Sequence, residues 1–600
     1  MILLQKNVAQ LPNYAYPTPF FEKLQEIKVA PKNALKLDYN EPTFGPSKKV
    51  KDAIQKYLAD DQLNWYPEGE CKALRKVLME YTKRKYGEIM VVNGSDEILL
   101  LLALAYLTEG DEVIIPVPNY EMFMVNAKAV GAKMIDVVCQ DDMSFKIADI
   151  LAKVTPRTRI IYLSNPNSPT GFCFKREEII FLLESTKDII CIIDEAYYEY
   201  ADTTVVDLVE KYENLVVTRT FSKAFSLGAV RLGYAVSAEK NMKELQKAKE
   251  LLPESVNKIA QVAGVAALND FAYVRKNVAS VKKARKFLAI ELTRAGCRVY
   301  PSSSNFLLVR FGSSQEAVFI KEKLEECGIF TRDRTTKQKC AGCLRIGMPL
   351  EAEAKKLLSE IKKEMGEFKK RQEKKVLLFD MDGVLVDVSN SYRKVIQQTA
   401  QFFTKQRIMQ EEIQEYKQKG GYNNDWDLTE ALIRARGVLT QKKEIIEKFQ
   451  ELYLGAEGKK GYIDNEKWLL SEKILKQLQK NFVLGIVTGR PKEEAQYVLK
   501  RYNYEQYFDV LIAMQDCPSG KSKPDPYSLN LALQKLGRKD QAAVAYIGDT
   551  IDDMKAARAA EVRAIGCIPP SAAKKILEPL LVQNGAETVI ESVNEIVKIV

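Results

Sequence analysis

The sequence predicts an α/β protein made of two modules, each built on a mainly parallel sheet with helices on its faces. Its 600 residues exceed what one hydrophobic core usually supports. Short apolar runs alternate with amphipathic segments from about residue 35 to residue 240, which is typical of parallel strands joined by helices. Near residue 365 a charged stretch that includes "KKRQEKK" gives way to the apolar run "VLLF", so a second module is expected to begin there.

The composition indicates a cytosolic protein that binds neither membranes nor nucleic acid. No stretch reaches the roughly 18 apolar residues of a membrane span, and the N-terminus lacks the features of a signal peptide. The 90 basic and 80 acidic residues are spread along the chain, so the net charge of +10 predicts no nucleic-acid surface. The ten cysteines are scattered like free thiols, and "CAGC" at 340–343 lacks the partners of a zinc site.

The chain contains no histidine, although about a dozen would be typical of this length. This absence excludes Ser-His catalytic triads, His-ligated metals and imidazole acid–base catalysis. Any chemistry must therefore use lysine, carboxylates, tyrosine, arginine, hydroxyls or cofactors.

Polar residues follow the predicted strands of the first module, where ligand sites of such folds gather. In "VVNGSDEILLLL" (91–102) we expect Ser95 to be a helix N-cap, whose free N–H groups either suit a phosphate or simply begin a helix. Asp194 ends the buried strand "IICIID" and needs a cationic partner. A protonated heterocyclic nitrogen would serve, and a structural salt bridge is the alternative.

A further strand leads into "RTFSKAFSLGAVRLGY" at 219–234. Thr220, Ser222 and Arg231 can hold a phosphate there, while the amine of Lys223 can form a Schiff base. A solvated loop lysine is the alternative reading of that position taken alone.

Together these segments resemble the fold-type I aminotransferases that use pyridoxal phosphate, and most closely the histidinol-phosphate aminotransferase family. The resemblance covers about residues 12–365 and implies a pyridoxal-phosphate-dependent transferase fold, with a large domain at about 45–250 and a small domain from both ends of 1–365. It also implies a homodimer that converts glutamate to 2-oxoglutarate. The motifs that carry it are "LDYNEP" (37–42), "YPEGE" (66–70), "NGSDE" (93–97), "PNSPTG" (166–171), "DEAYYEY" (194–200), "TFSKAF" (220–225), "SSNFLLVR" (303–310) and "CLRIG" (343–347).

The resemblance assigns roles around the cofactor. Lys223 would be the Schiff-base lysine and proton shuttle, and Asp194 would keep the pyridine nitrogen protonated. Tyr120 would stack on the ring, and Tyr197 would donate a hydrogen bond to the phenolic oxygen. The cofactor phosphate would be held by Gly94, Ser95, Asp96, Thr220, Ser222, Arg231 and the partner subunit's Tyr66.

The resemblance also implies a substrate end of the site. Arg345 and Arg332 would pair with the anionic group of the substrate, and Asn305 would support them. Ser168 stands where many of these enzymes have an asparagine that contacts the cofactor oxygen, so this contact is assigned to Asn167.

The second module opens with "VLLFDMDGVLVD" (376–387), a predicted buried strand that ends in Asp380 and Asp382. Two acidic groups so close together indicate a divalent cation or shared proton chemistry. With "FVLGIVTGRP" (482–491), "KSKPDPYSL" (521–529) and "VAYIGDTIDDM" (544–554), this module resembles the haloacid-dehalogenase superfamily. The resemblance implies a Rossmann-like phosphatase domain at 376–600 with an α-helical cap at about 391–472, after a charged linker at 366–375.

By this resemblance Asp380 is the nucleophile, and Asp382 is the general acid and base. Thr488 and Lys523 would stabilise the phosphoryl oxygens. In the cap, Asn423, Asn424 and Asp425 either face the site or, for Asp425 and Asp427, cap a helix. The expected ligands of a magnesium ion are Asp380, Asp382, Asp549 and Asp553.

The two resemblances imply a bifunctional enzyme of histidine synthesis. The aminotransferase family makes L-histidinol phosphate from imidazole acetol phosphate and glutamate, and the next step removes the phosphate. Alternatives are an aminotransferase for aromatic or phosphothreonine-type substrates with an unrelated phosphatase, or a non-catalytic regulatory second module. The missing histidine fits an enzyme that is needed when histidine is scarce, and recoding of the chain is the rival explanation.

Overall fold

The computed structural model describes residues 4, 6–11, 19–60, 63–418, 425–456, 459–538 and 540–600. It divides into two compact units, Met1–Gly366 and Glu367–Val600. The helix Glu351–Glu373 runs through this boundary, and the next strand begins at Lys375. Most of the stretch expected as a charged linker is therefore helical, which its many Lys, Glu, Arg and Gln residues favour.

The first unit alternates helices and strands, with the long helix at its end. Its α-helices are α1 Lys6–Ala9, α2 Phe20–Glu26, α3 Lys48–Ala59, α4 Lys72–Thr82, α5 Ser95–Tyr106, α6 Met122–Ala129, α7 Ile147–Leu151, α8 Arg176–Ser185, α9 Glu239–Lys249, α10 Lys258–Leu268, α11 Phe271–Arg294, α12 Ser314–Glu326 and α13 Glu351–Glu373. Its strands are β1 Leu35–Lys36, β2 Ile89–Val92, β3 Glu112–Val117, β4 Lys133–Val138, β5 Thr158–Ser164, β6 Ile190–Asp194, β7 Leu215–Thr220, β8 Gly233–Ser237, β9 Arg298–Val299, β10 Phe306–Arg310, β11 Ile329–Phe330, β12 Arg332–Asp333 and β13 Cys343–Gly347. Short 3₁₀ helices lie at Pro31–Asn33, Tyr86–Glu88, Tyr198–Tyr200, Val206–Glu210 and Gly228–Val230.

A seven-stranded sheet in the order β2-β8-β7-β6-β5-β3-β4 forms the larger part of the first unit. All neighbours are parallel except β8, which runs antiparallel to β2 and β7. The central strands are buried on both faces because helices pack on each side, as their near-continuous Val, Ile and Leu content predicts. The predicted mainly parallel sheet is confirmed.

A second, antiparallel sheet in the order β12-β13-β10-β9 follows along the chain. β1 near the N-terminus pairs with β11, so Leu35 lies opposite Ile329. Both ends of the first unit therefore contribute to this smaller part. The register of β12 on β13 sets Arg332 opposite Arg345.

The predicted N-cap at Ser95 is wrong by one residue. Helix α5 begins at Ser95, and its N-cap is Gly94 with φ 77° and ψ 160°. A Cβ at position 94 would lie 2.6 Å from Nη2 of Arg231, and the positive φ strains any other residue. Glycine is therefore required where the chain passes close to this guanidinium.

The second unit also alternates strands and helices, with a helical insertion after its first strands. Its α-helices are α14 Tyr392–Thr404, α15 Gln410–Gln418, α16 Asp425–Arg434, α17 Lys442–Leu454, α18 Glu472–Asn481, α19 Lys492–Tyr502, α20 Tyr527–Lys535, α21 Ile551–Ala559 and α22 Lys574–Gln583. Its strands are β14 Lys375–Phe379, β15 Val386–Asp387, β16 Gly455–Ala456, β17 Lys459–Lys460, β18 Lys467–Trp468, β19 Phe482–Val487, β20 Val510–Ile512, β21 Val544–Gly548, β22 Arg563–Cys567 and β23 Thr588–Ile590. Short 3₁₀ helices lie at Tyr462–Asn465, Glu505–Tyr507, Met514–Asp516, Gln541–Ala543 and Val593–Lys598.

Six parallel strands form the sheet of the second unit, in the order β20-β19-β14-β21-β22-β23. β14 lies between β19 and β21, so the segments after these three strands meet at one edge. Helices α14 to α17 form the insertion that the sequence predicts as a cap. The parallel sheet with a helical insertion agrees with the predicted Rossmann-like class.

Among the helices of the described residues, none has the length and apolar content that a membrane span requires.

Candidate active sites

A cavity in the first unit opens at the carboxyl ends of the parallel strands. It brings together nine of the residues predicted from the sequence, with Ser164, Ser168 and Ala196 beside them. The nine residues are Ser95, Asp96, Tyr120, Asp194, Tyr197, Thr220, Ser222, Lys223 and Arg231.

Asp194 lies buried at the end of β6 and accepts hydrogen bonds from the Tyr162 hydroxyl at 2.7 Å and from the backbone N–H of Ala196 at 3.1 Å. Burial raises the pKa of Asp194 to about 6, although these hydrogen bonds oppose the rise. No ion pair to Asp194 occurs among the residues that the structure describes. The structural salt bridge considered for Asp194 is therefore absent from the described chain, and the carboxylate faces the cavity without a cation.

Three consecutive backbone carbonyls near the N-terminus accept hydrogen bonds from side chains of the predicted site. The Tyr39 carbonyl accepts from Nζ of Lys223 at 2.9 Å, and the Asn40 carbonyl accepts from the Asn305 amide at 2.9 Å. The Asp38 carbonyl accepts from the Arg345 guanidinium. We call residues 38–40 the carbonyl strap. It fixes three of the predicted site residues at once.

The hydroxyl and basic groups expected around a phosphate lie together. The Thr220 hydroxyl donates to Oγ of Ser222 at 2.9 Å, and Nη2 of Arg231 lies 3.0 Å from Oδ2 of Asp96. These groups surround the N-terminus of α5, whose first N–H groups have no intrahelical partner. The arrangement can hold a phosphate by hydrogen bonds and charge.

The two tyrosines predicted near a cofactor ring are both held by polar neighbours. The Tyr120 hydroxyl donates to Asp96 at 2.8 Å, and the Tyr197 hydroxyl accepts from the Asn40 amide at 2.9 Å. Nζ of Lys223 lies 5.8 Å from the centre of the Tyr197 ring. Both rings are therefore fixed beside the lysine and Asp194.

Three arginines of the smaller sheet lie close to the cavity. Arg345 is buried, and burial together with Arg334 and Arg332 lowers its pKa to about 9. The Nε atoms of Arg345 and Arg334 are buried without hydrogen-bond partners among the described residues. Among the described residues, none of these three arginines forms an ion pair with a carboxylate. The arginine cluster can therefore receive an anion.

The contact assigned to Asn167 requires a correction. The Asn167 carbonyl oxygen accepts from the Thr170 hydroxyl at 2.8 Å and the Thr170 N–H at 3.2 Å, which closes the "PNSPTG" turn. Ser168 lines the cavity instead, and its hydroxyl accepts from Nη1 of Arg345 at 3.1 Å. The serine therefore lies in the cavity wall beside Arg345.

Tyr66 lies away from the cavity of its own chain and is 92% exposed. Its neighbour Trp65 is 66% exposed. Two large aromatic side chains in contact with water at one loop are unusual for a monomer surface. The predicted role of Tyr66 in a partner subunit stays a prediction.

In the second unit, three carboxylates converge at the edge of the parallel sheet. Oxygens of Asp380 after β14, Asp549 after β21 and Asp553 in α21 lie within 4.8 Å of one another. Gly383 allows this approach, because a Cβ there would lie 2.2 Å from Oδ2 of Asp549. Oxygen atoms at this spacing are the donors that a divalent cation prefers.

Lys523 links two of these carboxylates. Its Nζ lies 2.9 Å from Oδ1 of Asp380 and 2.7 Å from Oδ1 of Asp553. Burial raises the pKa of Asp380, and nearby Asp553 and Asp382 add to the rise, while Lys523 opposes it. Burial also acts to raise the pKa of Asp553, but Lys523 and hydroxyl donors hold it below its ordinary value.

Two residues of the predicted metal set, Asp553 and Asp382, have other partners in the structure. Asp553 already accepts from Lys523 and Tyr546 at one oxygen and from the Thr550 hydroxyl and N–H at the other. It is therefore better suited to hold Lys523 than to bind a metal directly. The side chain of Asp382 does not belong to the converging carboxylates, because it pairs with Arg490.

Asp382 lies at the wall of a second cavity, which Asp380, Lys523, Asp549 and Asp425 also line. Burial raises the pKa of Asp382 even though Arg490 opposes the rise. A carboxyl group with a raised pKa beside a nucleophilic carboxylate can donate a proton to a leaving group. The predicted acid and nucleophile therefore share one cavity.

Arg490 is the largest fully buried side chain in this cavity wall. Its Nε donates to Oδ1 of Asp382, while its two Nη atoms donate to Glu466 at 2.9 and 3.1 Å. Nη1 also donates to the Tyr453 hydroxyl at 3.2 Å, and that hydroxyl donates to Glu466 at 2.9 Å. The sequence analysis assigned no role to Arg490, Glu466 or Tyr453.

Thr488 follows β19 at the same sheet edge, and its hydroxyl accepts from the Arg490 N–H at 3.2 Å. In the cap, Asn423 and Asn424 lie outside the described residues. Asp425 is the first residue of α16 and lines the cavity, whereas Asp427 pairs with Lys442. Asp425 therefore faces the cavity, while the side chain of Asp427, predicted only as a helix cap, forms an ion pair.

The sequence matches the aminotransferase class I and II family over residues 32–361, more than half of the chain. The chain belongs to the aminotransferase class I and II family. Residues 377–567 match the haloacid dehalogenase-like hydrolases, so this aminotransferase carries a hydrolase-like domain in its C-terminal part.

Curated relatives match the aminotransferase part. Histidinol-phosphate aminotransferase of Thermoanaerobacter pseudethanolicus is 36% identical over 314 residues, which cover 52% of this chain and 87% of that protein. Dihydroxyacetone phosphate transaminase of Campylobacter jejuni is 35% identical over 335 residues, 55% of this chain and 88% of that protein. The structure of Sinorhizobium meliloti histidinol-phosphate aminotransferase in complex with pyridoxal-5'-phosphate shares the fold, with a TM-score of 0.55 and 22% identity over 61% of this chain and 98% of that one.

Membership in this aminotransferase family implies pyridoxal phosphate, and the first cavity fits it. Asp194 offers a buried carboxylate with no cation among the described residues, where a protonated ring nitrogen would complete an ion pair. Lys223 offers an amine, and the start of α5 with Ser222 and Arg231 offers a phosphate cradle.

Several residues of the aminotransferase and hydrolase sites were missed by sequence reasoning. Asn40 and Arg490 lie inside the quoted segments "LDYNEP" and "FVLGIVTGRP", and Tyr162 lies in the apolar run "RIIYLS" (159–164), so their position gave a signal that was not used. Arg334 and Glu466 lie outside every motif. The pairing of β12 with β13 brings Arg334 close to the first cavity. The segment at the end of the cap brings Glu466 close to the second.

Proposed function

We propose that the chain is a bifunctional enzyme that transaminates imidazole acetol phosphate with glutamate to L-histidinol phosphate and then dephosphorylates it to L-histidinol with magnesium. The observation that carries this proposal is the presence, on one chain, of a lysine and aspartate cavity beside an arginine cluster and of a carboxylate cavity suited to phosphate transfer. The first would convert a ketone that carries a phosphate ester into the corresponding amine, and the second would hydrolyse the ester of that amine. The relatives named histidinol-phosphate aminotransferase support the choice of ester.

In the first reaction the side chains bind and orient the substrate. Arg345, with Arg332 and Arg334 beside it, would receive the substrate phosphate, and Asn305 would hold the strap that positions Arg345. Nζ of Lys223 would take the proton from the carbon that carries the amino group. When bound, pyridoxal phosphate supplies an electron sink, and Asp194 would hold its ring nitrogen in the protonated form.

In the second reaction an Asp380 oxygen would attack the phosphorus, and the ester P–O bond would break as Asp382 protonates the leaving alkoxide. Water would then attack the phosphoaspartate after Asp382 takes a proton from it, which returns Asp380 and releases phosphate. Lys523 and Thr488 would stabilise the phosphoryl oxygens. A magnesium ion at Asp380 and Asp549 would offset negative charge during the transfer.

A second candidate substrate is dihydroxyacetone phosphate. The transaminase of that name is 35% identical to this chain, against 36% for the first relative described above. Both ketones carry a phosphate ester one carbon from the carbonyl, so the same arginines would serve either. The arrangement of Asp380, Asp549 and Lys523 argues against a non-catalytic second unit, because each group contacts or faces another that phosphate transfer needs.

We further propose that the enzyme is a homodimer in which the partner subunit's Tyr66 completes the phosphate cradle. The exposure of Trp65 and Tyr66 supports this arrangement, since an interface would cover both rings.

The test supplies imidazole acetol phosphate or dihydroxyacetone phosphate with glutamate and magnesium, and measures 2-oxoglutarate and inorganic phosphate together. We expect both products from the correct ketone. Lys223→Ala should abolish both signals from the ketone but should still release phosphate from added L-histidinol phosphate. Asp380→Asn should leave 2-oxoglutarate formation unchanged and stop phosphate release. If Asp380→Asn releases phosphate at the parent rate, the phosphatase assignment is wrong.

A further inference from the structure

The contacts of Arg490 set it apart from the other basic residues of the hydrolase cavity. Its side chain is 1% exposed, and it joins the predicted acid Asp382 to Glu466, whose side chain is fully buried. Two Nη atoms meet the two oxygens of Glu466, while Nε meets Oδ1 of Asp382. A planar guanidinium held at one side by a carboxylate has little freedom to rotate, so its Nε direction is fixed.

Glu466 is itself anchored by groups from two other segments. It accepts from the Ser391 hydroxyl at 2.7 Å and from the Tyr453 hydroxyl at 2.9 Å. Arg490 also lies 4.9 Å from the centre of the Tyr392 ring. Ser391 and Tyr392 begin the cap insertion and Tyr453 lies near the end of its last α-helix, so residues of the cap contact the guanidinium or Glu466.

The geometry points to Arg490 as the positioning residue of the general acid Asp382, with Glu466 and Tyr453 as its anchors. The Nε–H bond fixes Oδ1 of Asp382. Oδ2 has no hydrogen-bond partner among the described residues, and the side chain, which is 30% exposed, lines the cavity. Arg490 thus aims the free oxygen at the leaving group. This inference rests on the phosphatase part of the proposed function.

The contacts of Glu466 suit this role. Its two oxygens accept from both Nη atoms of Arg490, which leaves Nε directed at Asp382. Removal of either anchor should therefore impair proton donation without affecting the attack by Asp380.

The test compares esters that depend differently on proton donation. p-Nitrophenol leaves readily as an anion, phenol leaves less readily, and the alcohol of L-histidinol phosphate requires a proton. The values to measure are kcat/KM for the three esters, because this ratio reports the steps up to departure of the leaving group. We expect Arg490→Met to lower it about 100-fold for the alkyl ester, less for phenyl phosphate, and under about threefold for p-nitrophenyl phosphate.

Two variants guard against a simple folding defect. Arg490→Lys keeps the positive charge but loses the planar guanidinium with its several N–H donors. Glu466→Gln keeps the size of the side chain but loses its negative charge. Both variants should show the same ester dependence with smaller effects. Arg501→Met is the matched control, because Arg501 binds the carbonyls of Ile463 and Asp464 near Glu466 and does not contact Asp382. It should change all three values by less than about twofold.

Equal losses for all three esters in Arg490→Met and Glu466→Gln, or no loss in either, would overturn the inference. A matching ester dependence in Asp382→Asn would support it. If the unchanged protein hydrolyses none of the three esters, the proposed phosphatase function fails instead, and the two failures are therefore distinguishable.

Discussion

Asp194 and Asp382 illustrate how differently this chain treats two carboxyl groups whose pKa values are raised by burial. Asp382 has a guanidinium beside it, while Asp194 has only hydroxyl and N–H donors among the described residues. Hydrogen bonds from neutral groups compensate only part of the cost of burying a charge. The cofactor-free aminotransferase unit should therefore be destabilised at Asp194.

We expect Asp194→Asn to stabilise the cofactor-free protein in a pH-dependent manner. The pKa of Asp194 rises from 3.8 to about 6 on folding, so the folded state binds more protons between these values and stability falls as pH rises through them. The full penalty, about 3 kcal/mol, is present above pH 6 and absent below pH 4. Melting temperatures at pH 8 and pH 4 should thus differ between variant and parent only at pH 8.

Asp136→Asn, at an exposed position of β4, provides the control and should shift neither melting temperature. An equal shift of the Asp194→Asn protein at pH 4 and pH 8 would contradict a titration effect.

At the scale of elements, the strands with continuous apolar runs could be predicted, while the less apolar ones could not. β7 is buried throughout and β6 at all but its first residue, and they end in Thr220 and Asp194, so sequence alone predicted both the strands and their site residues. β4 is an edge strand with only one buried residue, and its mixed pattern gives a weaker signal. The position of β4 in the sheet follows from its parallel pairing with β3, which the sequence pattern does not show.

The same physical limit applies to the sites. Residues that directly follow a strand were found, because parallel strands deliver them to one edge. Arg334 joins its site through the pairing of β12 with β13, and Glu466 joins through the return of the cap. Such long-range contacts leave no local pattern in the sequence.

The carbonyl strap leads to a prediction about backbone conformation. Asn40 has φ 56°, where alanine is strained by about 1–2 kcal/mol and glycine is not. Asn40→Ala and Asn40→Gly both lose the amide that binds Tyr197. We expect transamination kcat/KM to be about tenfold lower for the alanine variant than for the glycine variant, because alanine shifts the strap carbonyls away from Lys223 and Asn305.

Lys83 offers the matched position, since it has φ 58° at the end of α4 and lies outside the cavity. Its alanine and glycine variants should differ in stability but not in kcat/KM. Equal activity of the two Asn40 variants would show that the strap backbone does not matter.

At the scale of the whole molecule, one chain combines an organic cofactor site with a carboxylate site, and it contains no histidine. Oxygens of Asp380 and Asp549 lie within 4.8 Å of each other, and their mutual repulsion favours a divalent cation. The cavity of the first unit, which Lys223 and Arg231 line, has no such carboxylate cluster among its described residues. The two reactions should therefore respond differently to chelation.

We expect EDTA to abolish phosphate release from L-histidinol phosphate and to leave 2-oxoglutarate formation within about twofold of its original rate. Excess magnesium should restore phosphate release, and EDTA already saturated with magnesium should have no effect. Loss of transamination in EDTA, or phosphate release that persists in EDTA, would refute the prediction that only the phosphatase reaction needs a divalent cation.

The carbonyl strap also bears on how the polypeptide is made. Its acceptors come from residues 38–40, and their donors come from Lys223, Asn305 and Arg345, so the contacts span up to about 300 residues of chain. A ribosome must therefore translate past Arg345 before this pocket can close. Conversely, a start codon used between Asn40 and Lys223 would yield a polypeptide that contains Lys223 but lacks the Tyr39 carbonyl that accepts from its Nζ.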